Sequence, residues 1–196
     1  IAVPSNSYIY TSYNTNRIWI EQTSPGFRNW YSMTSSSDGM KLAAVVSNGY
    51  IYTSSDSGIM WTEQTSSGAR NWYSITSSLD GMKLAAAVSN GYIYTSSDSG
   101  ITWIEQTSAG SKLWYSITSS MDGMKLAVVV NGGYIYTSFL HEQTVMVTNQ
   151  PTLQFTSQPL DITWTERTSS GSRNWYSITS SSDGMKLAAV VLYGFI

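Results

Sequence analysis

The sequence predicts an all-β protein: a β-propeller of four-stranded antiparallel blades, about four of them or a window on a larger propeller. Three observations predict it. One passage is written four times, with Tyr-Ile-Tyr triplets starting at Tyr8, Tyr50, Tyr92 and Tyr134, a period of 42 residues. A period in that range marks supersecondary units that stack to bury a shared core. Each unit holds four short runs with strand character, separated by turn residues, and nothing recurs at the i, i+3, i+4 spacing of a helix.

The second unit shows each element. Trp72-Tyr73-Ser74-Ile75-Thr76 alternates large and small residues, the pattern of a half-buried strand, here strand A. Ser77-Ser78-Leu79-Asp80-Gly81 turns the chain, because Asp-Gly tolerates the positive φ angles of tight hairpins. Lys83-Leu84-Ala85-Ala86-Ala87-Val88 is strand B, a continuous apolar run that expects cover on both faces. After Ser89-Asn90-Gly91 come strand C, Tyr92-Ile93-Tyr94-Thr95, a turn at Ser97-Asp98-Ser99-Gly100, and strand D, Thr102 to Thr107. Four such antiparallel strands make one propeller blade. Residues 1–196 read as a single domain with units at about 8–49, 50–91, 92–133 and 134–194.

Composition narrows the function classes. Only 11% of residues are charged and the net charge is -2, so there is no basic stripe for nucleic acid. Cysteine is absent, which excludes disulfides, thiolate metal sites and cysteine nucleophiles. No apolar run approaches the ~18 residues of a membrane span. The chain opens on Ile1 and reads as a processed or truncated piece. Richness in Ser, Thr, Gly and Tyr with few charges suits a secreted, periplasmic or organelle-lumenal protein.

Ser96-Ser97-Asp98-Ser99-Gly100-Ile101-Thr102-Trp103 resembles the Asp box, Ser-x-Asp-x-Gly-x-Thr-Trp, of the bacterial neuraminidase repeat family of β-propellers. The second unit keeps it from Ser54 to Trp61 with Met60 in place of threonine, the first has diverged to Ser12 to Trp19, and the fourth retains only Asp161-Ile162-Thr163-Trp164. With the repeated strands, the resemblance covers nearly the whole chain. It implies that Asp56 and Asp98 close structural turns and that Trp61 and Trp103 pack between strands. It leaves function open, because the family spans sialidases, other glycan-active enzymes, sorting-receptor ectodomains and photosystem II assembly factors.

Two ring geometries stay open at this level. Closure of four blades would pair the C-terminal A and B strands with the N-terminal C and D strands and remove exposed sheet edges. Ile1-Ala2-Val3 would then compete with Ala188-Ala189-Val190 for one position, and a window on a longer array explains that overlap equally well.

Candidate sites follow from propeller geometry. Arg28, Arg70, Lys112 and Arg173 precede the four innermost strands and would ring one mouth, a site for a carboxylate, sulfate or phosphate. The competing expectation is local pairing with Glu21, Glu63, Glu105 and Glu166 of strand D. On the opposite face Asp38, Asp80, Asp122 and Asp183 could hold calcium if they converged, but hairpin chemistry explains them without a metal. No cofactor or metal site is expected. Residues Phe139 to Leu160 replace three residues of the repeat, an insertion of nineteen. Its Phe139, His141, Glu142 and Phe155 read as a partner-docking element, against a tolerated neutral insertion or sequence from a gene-model error. His141 is the sequence's single histidine, so a histidine-based triad has no second member. The arginine triad and tyrosine–glutamate pair of sialidases find no residue-by-residue match.

The expectation is therefore a non-catalytic binding or scaffold propeller holding a protein or glycan. The alternatives are a fragment of a sialidase-like glycan-processing enzyme and an assembly factor resembling the photosystem II proteins. Near-identical blades also favour strand exchange between copies, so a homo-oligomer is open to this chain.

Overall fold

The computed structural model describes residues 6–12, 18–140 and 162–192. All ladders among them are antiparallel. A two-stranded sheet, β1 (Ile9–Thr11) and β2 (Ile20–Gln22), comes first. Three complete blades follow: β3 (Trp30–Ser35), β4 (Leu42–Val46), β5 (Ile51–Ser54) and β6 (Thr62–Gln64); then β7 (Trp72–Ser77), β8 (Leu84–Gly91), β9 (Ile93–Ser96) and β10 (Ile104–Gln106); then β11 (Lys112–Ser119), β12 (Lys125–Gly133), β13 (Ile135–Leu140) and β14 (Ile162–Arg167). The pair β15 (Arg173–Ser180) and β16 (Leu187–Val191) ends the described chain. These correspond to strands C and D, three sets of A to D, and strands A and B.

The core lies between blades, and the B strands show why. Leu42, Ala44 and Val46 of β4 pack with Ile9, Trp30 and Tyr52, while Ala43 and Val45 point the other way to join Trp72, Ile75 and Tyr94 of the next blade. Strand residues alternate faces, so an apolar run without alternation is the signature of a sheet covered on both sides. Trp30, Trp72 and Trp114 are the wedges, each meeting a strand-C tyrosine (Tyr52, Tyr94, Tyr136) edge-on at 5.2 Å. Burying one such indole removes roughly 200 Å² from water, at most about 5 kcal/mol.

Polar bonds add a second tie between blades. The A-to-B turns are linked in series, with the Ser37 amide donating to the Leu79 carbonyl at 2.7 Å, Leu79 to Met121 at 2.6 Å and Met121 to Ser182 at 2.7 Å. Along the innermost strands the amides of Ile75, Ile117 and Ile178 donate to the hydroxyls of Ser32, Ser74 and Ser116 of the preceding blade. At the other rim the tip of each B strand pairs with the start of the next A strand, as in Gly91 with Lys112 and Gly133 with Arg173.

The result is an arc. Among the described residues β16 pairs only with β15, and β1 only with β2, so the four-blade ring that end-to-end pairing would close is not formed. Both ends lie open: Val190 is 44% exposed where its counterpart Val45, against the next blade, is 0%, and Trp19 is 52% exposed where Trp61, packed on Trp30 of its own blade, is 8%.

Candidate functional site

The Asp98 turn is closed by its own groups. Its carboxylate accepts hydrogen bonds from the Ser96 hydroxyl at 2.8 Å, the Thr102 amide at 2.9 Å and the Thr102 hydroxyl at 2.6 Å. Asp56 accepts from Ser54 at 2.7 Å and from the Met60 amide at 2.9 Å. Trp61 and Trp103 each donate their indole N–H to the turn carbonyl of Gly58 or Gly100 at 2.9 Å. The Asp56 carboxyl is held below the usual range by the Met60 amide and then the Ser54 hydroxyl. For Asp98, burial pushes upward, and the Thr102 and Ser96 bonds outweigh it to leave the carboxyl low. These carboxylates are occupied by backbone and hydroxyl donors of their own turns.

The Asp-Gly turns are built alike. Asp38, Asp80, Asp122 and Asp183 each accept from a serine two residues earlier at 2.5–2.6 Å and from a backbone amide two residues later. Among the described residues no group of three or more His, Asp or Glu side chains is placed to hold a metal ion.

Three of the four cations lie against rings of their own blades. Arg28 lies 4.7 Å over the ring of Tyr52, Arg70 4.5 Å over Tyr94, and Lys112 5.1 Å over Tyr136, each a residue of strand C in the same blade. The same tyrosines donate their hydroxyls to Glu63, Glu105 and Glu166 of strand D. Each cation is thus drawn outward along its own blade. Arg28 meets Glu63 of its own blade at 4.0 Å, reaching across the ring of Tyr52, and not Glu21, which precedes it in the chain. The Nε of Arg28, Arg70 and Arg173 donates to the carbonyls of Pro25, Ser67 and Ser170, so the guanidiniums also brace the D-to-A turns. Burial and the carboxylate bond push the Tyr52 and Tyr94 phenols far up, and Tyr136 up to about 12. Arg173 has no strand-C tyrosine of its own blade among the described residues.

Phe139 lies in β13, opposite Lys125 and Thr163, and is exposed; it is a ladder residue, because strands C and D of this blade run on further than in the others. His141, Glu142 and Phe155 lie outside the described residues.

The residues that the structure gathers are ones sequence reasoning passed over. Tyr31, Tyr73, Tyr115 and Tyr176 occupy the second position of each innermost strand, and their rings form one continuous row with centroids 4.7, 4.4 and 5.5 Å apart. Each strand shifts register at this point, between Trp30 and Ser32, Trp72 and Ser74, Trp114 and Ser116, and Trp175 and Ser177. The tyrosine is the extra residue of the bulge, and a bulge re-aims the side chain it carries. Tryptophan enters the inter-blade core while tyrosine joins the row on the inner strands. Burial, followed by the hydrogen bond to Tyr115, raises the Tyr73 phenol well above its ordinary value. The terminal rings, Tyr31 and Tyr176, are exposed. The signal in the sequence was the Trp-Tyr pair, kept in all four copies even where Asn71 becomes Leu113.

No protein-family model matches the chain, and no curated protein matches it significantly in sequence. Solved structures do match in shape. YCF48 from Cyanidioschyzon merolae aligns with a TM-score of 0.61 at 14% identity, over 95% of this chain and 58% of that one. The chain folds as part of a β-propeller. The β-propeller domain of Myceliophteria thermophila Cps50 (Swd1) aligns with a TM-score of 0.57 at 11% identity, over 83% of this chain and 49% of that domain. A structure of YCF48 bound to D1 peptide aligns with a TM-score of 0.50 at 15% identity, over 98% of this chain and 68% of that one. The chain therefore spans little more than half the length of YCF48 from Cyanidioschyzon merolae.

Proposed function

We propose that the chain is a non-catalytic binding scaffold that holds an extended segment of a protein partner against the tyrosine row of its innermost strands. The observation that carries this reading is that row: four bulged tyrosines brought to one line by four blades, with exposed rings at both ends. Large amphipathic rings with few rotatable bonds are favoured contact groups at protein interfaces. The middle rings are half-buried between tilted neighbours, which leaves little open ring face. Sugars are gripped through ring faces, and this favours a peptide over a glycan. The structure of YCF48 bound to D1 peptide gives a propeller of similar fold with a peptide ligand. The Ser-x-Asp-x-Gly turns of Asp56 and Asp98, with Trp61 and Trp103 donating to the turn glycines, support kinship with Asp-box propellers. Arg28, Arg70 and Lys112 serve the blades in this reading.

The test is to pan a random peptide library on the intact chain and titrate the selected peptide against Tyr73→Phe and Tyr115→Phe. Each lost phenol hydrogen bond is expected to weaken binding about fivefold, from about 1 kcal/mol. Unchanged affinity in the double Tyr→Ala variant, with the fold intact by circular dichroism, would place the peptide elsewhere and overturn the assignment. Turnover of a fluorogenic sialoside by the intact chain would overturn the non-catalytic part.

A further inference from the structure

Each A-to-B turn carries a methionine directly after its Asp-Gly pair, and three of these, Met40, Met82 and Met185, are exposed. Their sulfurs hold protein donors. Met82 Sδ accepts from Lys41 Nζ at 2.9 Å and from the Ser99 hydroxyl at 3.2 Å. Met40 Sδ accepts from the Ser57 hydroxyl at 3.2 Å, and Met185 Sδ from Lys125 Nζ at 3.2 Å. A thioether is a weak acceptor, so an ammonium and a hydroxyl aimed at one sulfur are more donor than the group can use. We propose that Met82 is a methionine sulfoxide site, oxidised by peroxides, and that its sulfoxide oxygen is received by Lys41 of one blade and Ser99 of the next. Met40 keeps the hydroxyl half of the same seat, and Met185 the ammonium half.

The seat is built without the sulfur. The Asp80 carboxylate accepts the Met82 amide at 2.9 Å, and the Ser99 amide donates to the Met82 carbonyl at 2.9 Å, so the two turns are joined through backbone. Ser99 lies in the left-handed region at φ 59°, within the turn that Asp98 closes, and its hydroxyl is held on the side of Met82. Lys41 arrives from the preceding blade. Its stem lies against Gly81, where an added Cβ would meet Lys41 Cβ at 2.9 Å and Cδ at 3.0 Å, and this packing carries the ammonium to Met82. Lys125 takes the same course against Gly184, its Nζ also donating to the Asp183 carbonyl at 2.7 Å.

In the oxidation, the sulfur lone pair attacks one oxygen of hydrogen peroxide or of an organic hydroperoxide. The S–O bond forms as the O–O bond breaks, the sulfur is oxidised by two electrons, and the peroxide leaves as water or an alcohol. The new oxygen is a strong acceptor. In an apolar core such a group disrupts packing. At Met82 it meets two donors already in place, one on each side of the seam, and so adds a tie between blades. The sulfur also becomes chiral, and donors in fixed positions favour one epimer; each epimer is reversed by its own reductase.

The test treats the chain and its Met82→Leu variant with excess hydrogen peroxide, maps oxidation at each methionine by peptide mass, and takes urea midpoints before and after. The shift in the chain minus the shift in Met82→Leu isolates Met82 from the other methionines. It is expected to be upward by about 0.5 M, the size that one added hydrogen bond gives in a chain of this length. In a Lys41→Gln, Ser99→Gly background it is expected to vanish, since glycine keeps the positive φ and removes the hydroxyl. A zero or downward difference would overturn the proposal, and so would an upward one that survives the loss of both donors. Met82 left unoxidised after the exposed Met60 has been consumed would overturn it as well.

Discussion

Replacing Gly100 by alanine isolates what packing between blades contributes to this fold. Gly100 has φ +88°, and a Cβ built there meets the Thr53 methyl at 2.9 Å, Leu84 Cδ1 at 3.1 Å and the Trp103 ring at 3.5 Å. Thr53 belongs to β5 and Leu84 to β8, so the added methyl would sit in the seam between two complete blades. Gly39 provides the control, with φ +70° and no atom within 4 Å of its Cβ. Both substitutions force an L-residue into the left-handed region, at about 1–2 kcal/mol. Only Gly100→Ala adds overpacking, at about 1–3 kcal/mol. Urea unfolding should therefore give a loss of about 1–2 kcal/mol for Gly39→Ala and about 2–5 kcal/mol for Gly100→Ala. Near- and far-ultraviolet circular dichroism should report coincident transitions, since free energies from a repeat array need two-state behaviour. Equal losses from the two variants would refute the argument, because the seam would then yield to a methyl without penalty.

Four further outcomes follow from the same contacts. Trp114→Ala, which empties a fully buried wedge, should lose about 3–5 kcal/mol in the same assay, and Trp175→Ala at the open end distinctly less. Thr102→Val removes the hydroxyl that donates to Asp98 at 2.6 Å; it should lower stability by about 1 kcal/mol and raise the Asp98 carboxyl titration followed by NMR, while Met60→Thr should lower that of Asp56. With pH, the hydrogen-bonded carboxyls of Asp38, Asp56, Asp80, Asp98, Asp122 and Asp183 are held low, so their contribution is complete above an unfolded value of about 4 and is lost as pH falls through the folded values. At the alkaline end Tyr136, raised to about 12, contributes fully below an unfolded value of about 10 and less as pH rises toward 12, so Tyr136→Phe should flatten that limb of the urea midpoint against pH.

Much of the fold was legible because each blade element carries a local cause. The Trp72 run, the Asp80-Gly81 turn and the Tyr92-Ile93-Tyr94 run appear as strand, turn and strand within a residue of their expected limits, while the apolar Leu84 strand runs three residues past Val88 to Gly91, because Ser89 and Gly91 pair with the next blade. Strand D was overread, since Thr102 to Thr107 contracts to Ile104–Gln106, with Thr102 taken by the Asp98 turn and Thr107 by a 3-10 turn. Phe139, where the repeat motif is lost, extends β13 instead of entering a connecting segment, because cross-strand pairing with Thr163 and Lys125 carries the ladder on. The surroundings of the cations were less legible for a related reason. Arg28, Arg70 and Lys112 reach across the face of their own blade to a strand-C tyrosine, a contact between residues more than twenty positions apart that chain spacing does not express.

The tyrosine row, the serine hydroxyls received by the next blade and the serial bonds of the A-to-B turns share one property: none of them exists within a single unit. Each requires one blade to be set against the next with a fixed offset, so each is produced by stacking identical copies. A site made this way has no motif of its own. It appears in the sequence only as residues that every repeat keeps, which is also what a purely structural residue looks like. Tyr73 and Trp72 are neighbours with the same recurrence, yet the bulge sends one into the core and the other onto the inner row. For an array of near-identical blades, departures from the repeat are therefore not the sole place to look for function. Because the row lengthens by one ring with every added blade, the binding surface proposed for it would have an extent set by the number of blades.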